Sequence, residues 1–192
     1  MKVSINKIAS VQMGYSFRSG LKASNSGNVA VIQMKDLADD NTVSCNDLMK
    51  IDLAAVKAHH LVRTGDLIFR SRGLATTSAI LLEDPGVAIV SAPLFRIRIA
   101  EPQEVLPEYL NWYISQRHAQ IYFNSRAIGT AQKMISLETI AELEIFLPSP
   151  KKQRAIVELA GLSAREKKLL HELAEKREQY ACSVLMQIAR GE

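Results

Sequence analysis

Leu147-Pro148-Ser149-Pro150-Lys151-Lys152-Gln153, with the run that follows it to Arg190, decides how the rest of the chain is read. Ser149 can cap free backbone N–H groups, and Pro150 at the first helical position has no N–H to leave unpaired, so a helix is expected to start here. Ile156 and Leu159 give it a short apolar face. Gly161-Leu162-Ser163 then interrupts the pattern. Ser163-Ala164-Arg165-Glu166 has the serine-to-glutamate spacing of a capping box, which predicts a second helix from that point. Residues 164–190 contain no Gly or Pro and place Leu169, Leu170, Leu173, Tyr180, Val184, Leu185 and Ile188 at three and four spacing. A helix of that length runs roughly 40 Å. Its stripe, flanked by mixed Glu, Lys and Arg, needs a cover. Self-association is the expectation, against a helix lying along its own domain; Lys176 and Arg177 make the seam an imperfect zipper.

Upstream of this stretch the chain reads as one strand-rich domain. Residues 2–10 alternate Val3, Ile5 and Ile8 with Lys2, Ser4 and Lys7, a strand or strand-like lead-in. Gly14-Tyr15-Ser16-Phe17-Arg18-Ser19-Gly20 is a loop whose glycines permit unusual backbone angles and whose hydroxyls and arginine suit phosphate or base edges. A plain surface turn is the alternative. Val29-Ala30-Val31-Ile32 is a strand leading to Gln33 and Lys35, residue types that read adenine and guanine edges and are equally ordinary at a surface. Residues 48–61 look weakly helical or irregular. His59-His60 is no metal signal, since neighbouring histidines diverge on any regular element and no Cys or carboxylate cluster accompanies them.

Gly65-Asp66 feeds the strand Leu67-Ile68-Phe69, which delivers Arg70, Ser71 and Arg72 to Gly73. Alternation puts Arg70 and Arg72 on one side, a compact cationic edge. Two apolar segments, 79–82 and 87–90, are separated by Glu83-Asp84-Pro85-Gly86, which suits a hairpin turn. Arg96 and Arg98 alternate with Leu94, Ile97 and Ile99, on a face that is solvated or binding. Pro107 opens a helix predicted to run to about Phe123, with Trp112 and Tyr113 expected in the core rather than as a stacking platform. Residues 124–133 form a polar segment around Gly129 containing Thr130, Gln132 and Lys133. A short helix or turn and the strand 143–147 close the domain.

The bulk numbers narrow the classes. With 192 residues and 47% apolar composition the chain can bury a full core and carry an appendage. No apolar run is long enough to span a bilayer and no signal-peptide pattern opens the chain, so a soluble, cytoplasmic protein is expected. Cys45 and Cys182 lie far apart, without the spacing of a zinc site or a disulfide framework. Of the net charge of +4, +3 falls in residues 151–192, so a nucleic-acid ligand is permitted but rests on local clustering. There is no Gly-x-x-x-x-Gly-Lys loop, no methyltransferase Asn/Asp-Pro-Pro-aromatic stretch and no supported Ser-His or Cys-His pair, and the nuclease-like Glu-x-Lys spacing of Glu166-Lys167-Lys168 lies on the long helix, where it arises readily by chance, without clustered carboxylates. A binder without catalytic residues, cofactor or metal is the expectation.

The order of Gly14 to Gly20, Val31-Ile32-Gln33-Met34-Lys35-Asp36-Leu37, Gly65 to Gly73, Pro107-Glu108-Tyr109-Leu110, Gly129-Thr130-Ala131-Gln132-Lys133-Met134-Ile135 and Ile145 to Pro150, with Gln153 and Ile156, resembles the specificity subunits of Type I restriction-modification enzymes. The resemblance implies an α+β architecture: a mixed α/β target-recognition domain with a strand-rich core, then a short helix and a long C-terminal helix that pairs as an antiparallel coiled coil. It implies a non-catalytic DNA reader that recruits modification subunits, which methylate adenine, and restriction subunits, which translocate and cleave. The usual subunit carries two recognition domains; here there is one, so two copies would be needed. Lys152 stands where an acidic residue is usual, opposing the helix dipole by at most a few tenths of a kcal/mol.

These expectations divide the chain into a recognition domain, 1–148, and a helical spacer, 149–192. Candidate contacts to double-stranded DNA are Arg18, Ser19, Gln33, Lys35, Arg70, Arg72, Thr130, Gln132 and Lys133. Candidate homodimer contacts are Leu169, Leu170, Leu173, Tyr180, Val184 and Ile188. The competing reading is a protein-interaction module or inhibitor that docks the same helix on a full-size subunit without using DNA.

Overall fold

The computed structural model describes residues 1–17, 20–73, 76–129 and 133–191. In chain order these form β1 (Lys2–Ser4), α1 (Ile5–Ile8), β2 (Ala9–Met13), β3 (Val29–Ile32), β4 (Met49–Ile51), β5 (Leu67–Arg70), β6 (Ser78–Ile80), β7 (Ala88–Val90), β8 (Leu94–Ile99), α2 (Pro107–Ile114), α3 (Arg117–Arg126), α4 (Leu137–Ala141), β9 (Glu144–Phe146) and α5 (Pro150–Arg190). Strand-rich sheets followed by a long helix make the chain α+β, as expected.

Three sheets build the body. The largest has the order β2-β8-β5-β6, with all its pairs antiparallel. A second has β3 between β4, antiparallel, and β7, parallel. β1 and β9 close a small third sheet. β3 is apolar throughout because both of its faces are covered, which is when a strand loses its alternation. Ala30 and Ile32 share a core with Ile68, Leu81, Val90 and Leu94. Val29 and Val31, with Ile51 and Ile89, are roofed by loop side chains, among them Tyr15, Phe17, Leu53 and Val56.

Several local expectations fail for identifiable reasons. Residues 2–10 are not one strand: α1 interposes a single turn, and the Ile5 N–H bonds to the Leu143 carbonyl. The 83–86 turn does not make a hairpin. β6 pairs with β5 while β7 pairs with β3, so the turn carries the chain from one sheet to another. Residues 48–61 contain β4 and a single 3-10 turn, Ala58–His60. The helix from Pro107 stops at Ile114, because Gln116 turns to extended backbone and its side-chain amide donates to the Trp112 carbonyl at 2.8 Å; α3 then starts afresh.

The break anticipated at Gly161-Leu162-Ser163 is absent: α5 is a single helix of 41 residues, about 60 Å long. One glycine inside a helix costs only about 1 kcal/mol relative to alanine, and good helix formers on both sides outweigh it. The Ser163–Glu166 spacing is therefore a mid-helix coincidence, and the short and long helices anticipated separately are one. By internal contacts the chain divides into residues 1–153 and 154–192.

Candidate nucleic-acid interface

β3 and β5 belong to different sheets, and the side chains that follow or close them, Gln33 and Arg70, reach neighbouring segments. Gln33 follows β3. Its backbone N–H donates to Asp36 Oδ2 at 2.7 Å and its side-chain amide lies 3.4 Å from Met49 Sδ. That turn, Met34–Asp36, holds Lys35 exposed while Asp36 is buried. Arg70 closes β5 and donates from its guanidinium to the Leu37 carbonyl, which fastens the end of β5 to the turn bearing Lys35. Ser71, buried, donates its hydroxyl to the Pro93 carbonyl.

Arg72 forms a bridge with Met134, and its Nε lies 3.3 Å from Met134 Sδ. Lys133, the preceding residue, approaches Asn124 Oδ1 at 3.5 Å. Gln33, Lys35, Arg70, Arg72 and Lys133 are thus joined by a continuous run of contacts from the end of β3 through the end of β5 to residue 134. Arg70 and Arg72 differ, however. Arg70 is half-buried with its Nε sealed from solvent, whereas Arg72 is exposed. Arg18, Ser19, Thr130 and Gln132 lie outside the described residues.

The arginines of β8 do not form a solvated face. Arg96 is 7% exposed, donating to the carbonyls of His59 and Leu61 at 2.8 and 3.0 Å and to Gln12 Oε1 at 2.8 Å. Burial lowers its affinity for its proton, and repulsion from Arg98 adds to this. Arg98 grips Asp66 with two bonds of 2.7 and 2.6 Å, and this bonding raises its pKa despite partial burial. Asp66, 1% exposed, also accepts the Arg63 N–H at 2.9 Å. These arginines staple β8 to the 59–66 segment, an outcome that strand alternation alone cannot foretell.

A cleft of about 590 Å³ lies beside the 14–17 loop, lined by Gln12, Tyr15, Ser16, Lys57 and His60 among others. Local pattern gave no sign of it, since Lys57 sits in a segment without periodicity. The His59 and His60 rings, which were expected to diverge, touch with centroids 4.2 Å apart and planes tilted by 49°.

On α5, Leu169, Leu170, Leu173, Tyr180, Leu185 and Ile188 are all exposed and Val184 is half-buried. No helix among the described residues is long and apolar enough to cross a membrane.

The family model for the Type I restriction modification DNA specificity domain matches residues 1–175. The chain belongs to this family. Solved structures share the specificity-domain fold. The HsdS subunit from Thermoanaerobacter tengcongensis superposes with a TM-score of 0.63 at 16% identity, over 86% of this chain and 37% of that one. The Type-I restriction-modification system S subunit from M. genitalium gives 0.57 at 13% identity, over 91% and 41%. A chain from a structure of type I R-M complex assembly and conformational transition gives 0.65 at 16% identity, over 88% and 39%. This specificity-domain chain therefore spans about two-fifths of the length of the proteins it matches. A comparison with curated proteins gives no match.

Proposed function

We propose that this chain is a sequence-specific DNA-binding specificity subunit that reads one half-site and works in pairs. The match of residues 1–175 to the DNA specificity domain family carries this reading. Gln33, with amide donor and acceptor, suits an adenine edge, and Arg72 suits a guanine edge; Lys35 and Lys133 suit phosphates. Arg70 acts chiefly by holding the turn that presents Lys35. Arg18, Ser19, Thr130 and Gln132 complete the proposed set on chemistry alone.

The spacer, 149–192, provides pairing: α5 of two copies packs antiparallel about a twofold axis through Leu169, Leu170, Leu173, Tyr180, Val184 and Ile188. A twofold repeats the half-site in inverted orientation, which makes the target an interrupted palindrome. The subunit performs no chemistry itself; it acts in the cytoplasm and recruits the modification and restriction subunits. A gel-shift of the purified chain on random-sequence duplex at low salt tests the reading. Binding that weakens steeply as salt rises is expected; no shifted species at any protein concentration up to the micromolar range overturns it, and leaves helix docking on a full-size subunit as the surviving account.

A further inference from the structure

The cleft beside the 14–17 loop has the chemistry of an anion seat that the contact residues above do not include. Its mouth carries the exposed Lys57 ammonium and Ser16 hydroxyl, with Gln12, Tyr15 and His60 around them. A much smaller pocket that shares Gln12, Met13, Gly14, Tyr15 and His60 with the cleft is lined as well by His59, Val90 and Arg96. Among the described residues no carboxylate lines either pocket. Every acceptor of the buried Arg96 guanidinium is uncharged, two backbone carbonyls and one amide, and its Nε has no hydrogen-bond partner among the described residues. The nearest carboxylate acting on Arg96, Asp66, has both oxygens bonded to Arg98, so the Arg96 guanidinium is buried with neutral hydrogen-bond partners and an unmet N–H, an arrangement that added negative charge would relieve.

The walls are set before any ligand arrives. A Cβ on Gly14 would lie 2.7 Å from the Ser91 carbonyl carbon, so the loop backbone presses directly on the neighbouring strand connection. The Tyr15 N–H bonds to the Val90 carbonyl at 2.6 Å, and the Tyr15 ring meets His60 edge-on at 5.2 Å. Arg96 fixes the opposite wall through the His59 and Leu61 carbonyls.

We propose that this cleft seats a backbone phosphate of the bound duplex, with Lys57 as its direct ligand, Ser16 and the His60 ring N–H as further donors, and Arg96 supplying positive potential from beneath. The proposal rests on the DNA-reading function, and adds Lys57, Ser16 and His60 to the contact surface. A phosphate contact carries no base information, so its loss weakens all sequences alike.

The test compares the full chain with Lys57→Gln on two duplexes of unrelated sequence across a salt series. Lys57 is exposed and makes no ion pair among the described residues, so the fold is unaffected and an unchanged melting curve verifies that. The slope of log affinity against log salt is expected to fall by about 0.9, and affinity at low salt by roughly tenfold, equally on both duplexes. An unchanged slope, or a loss confined to one duplex, overturns the phosphate seat while leaving the DNA-reading function intact. Failure of the unaltered chain to bind either duplex overturns both.

Discussion

Replacing Gln153 with Ala is expected to destabilise the recognition domain out of proportion to the size of the change. Gln153 is fully buried, and every polar atom of its side chain is used: Oε1 accepts the Leu106 N–H at 2.9 Å, and Nε2 donates to the carbonyls of Glu104 and Pro148 at 2.8 and 2.9 Å. The residue thus ties the loop before α2 to the turn before α5. A typical bond contributes about 1 kcal/mol net, and a buried partner left unmet costs about 1–3 kcal/mol. Leu106 and Pro148 are half-buried, so water meets part of the deficit. The loss should be about 3–4 kcal/mol, a large share of the roughly 5–15 kcal/mol that holds a domain folded.

Urea denaturation followed by circular dichroism measures it. With a slope of about 2 kcal/mol per molar, the midpoint should drop by roughly 1.5–2 M without a change of slope. Gln153→Glu preserves the size and one acceptor but turns a carboxylate toward two carbonyls, and it should be at least as harmful as Ala. A loss below about 1 kcal/mol in Gln153→Ala, or a Glu variant as stable as the original, would refute the assignment of these bonds.

Three further outcomes follow from named contacts. Tyr109 is 2% exposed, and its hydroxyl, which donates to the Phe146 carbonyl at 2.6 Å, has its pKa pushed up by burial to about 12 from its ordinary 10.0. Because the folded value is the higher one, its contribution is complete below pH 10 and is lost as pH rises toward about 12, by about 2 kcal/mol; stability against pH of Tyr109→Phe should lack that component, and an identical alkaline decline in both proteins contradicts it. Leu173 is 48% exposed, so pairing would bury the rest of its side chain for about 1 kcal/mol per copy, and a glutamate there adds the cost of a buried carboxylate. Leu173→Glu should weaken the proposed dimer roughly a thousandfold and sediment as a monomer, whereas an unchanged dimer rules out pairing through that position. Arg72→Ala should lower the salt slope of DNA binding by about one with little effect on melting, while Arg70→Ala, which also releases the Leu37 carbonyl, should lower both affinity and melting temperature; equal melting temperatures in the two variants would contradict the distinction.

What could be read from the residues was whatever depends on local pattern. The start of α5 followed from Pro150, the apolar β3 from its unbroken run, and the closing helix and strand from residues 137–146. The unbroken course of α5 was hidden because Gly161 and the Ser163–Glu166 spacing imitate a boundary, and only the summed propensity of a long run overrides them. Pairing partners were hidden more deeply. Nothing in Glu83-Asp84-Pro85-Gly86 tells that the strands on either side belong to different sheets, one pairing antiparallel with β5 and the other parallel with β3.

At the candidate interface, residue types at strand ends were legible but their commitments were not. Arg70 and Arg72 look equivalent in alternation, yet one holds the Leu37 carbonyl and the other is exposed beside Met134. Arg96 and Arg98 show the same limit: a charged side chain on an alternating strand is ordinarily taken for a solvent-facing one, and only the distant His59, Leu61 and Asp66 turn it inward.

Selection of bound sequences from a random duplex pool by the purified full chain tests the paired half-site reader most directly. The enriched sequences should contain one short element repeated in inverted orientation across a gap of constant length. A single element without its inverted copy, or a bound pool no different from the starting one, would contradict it.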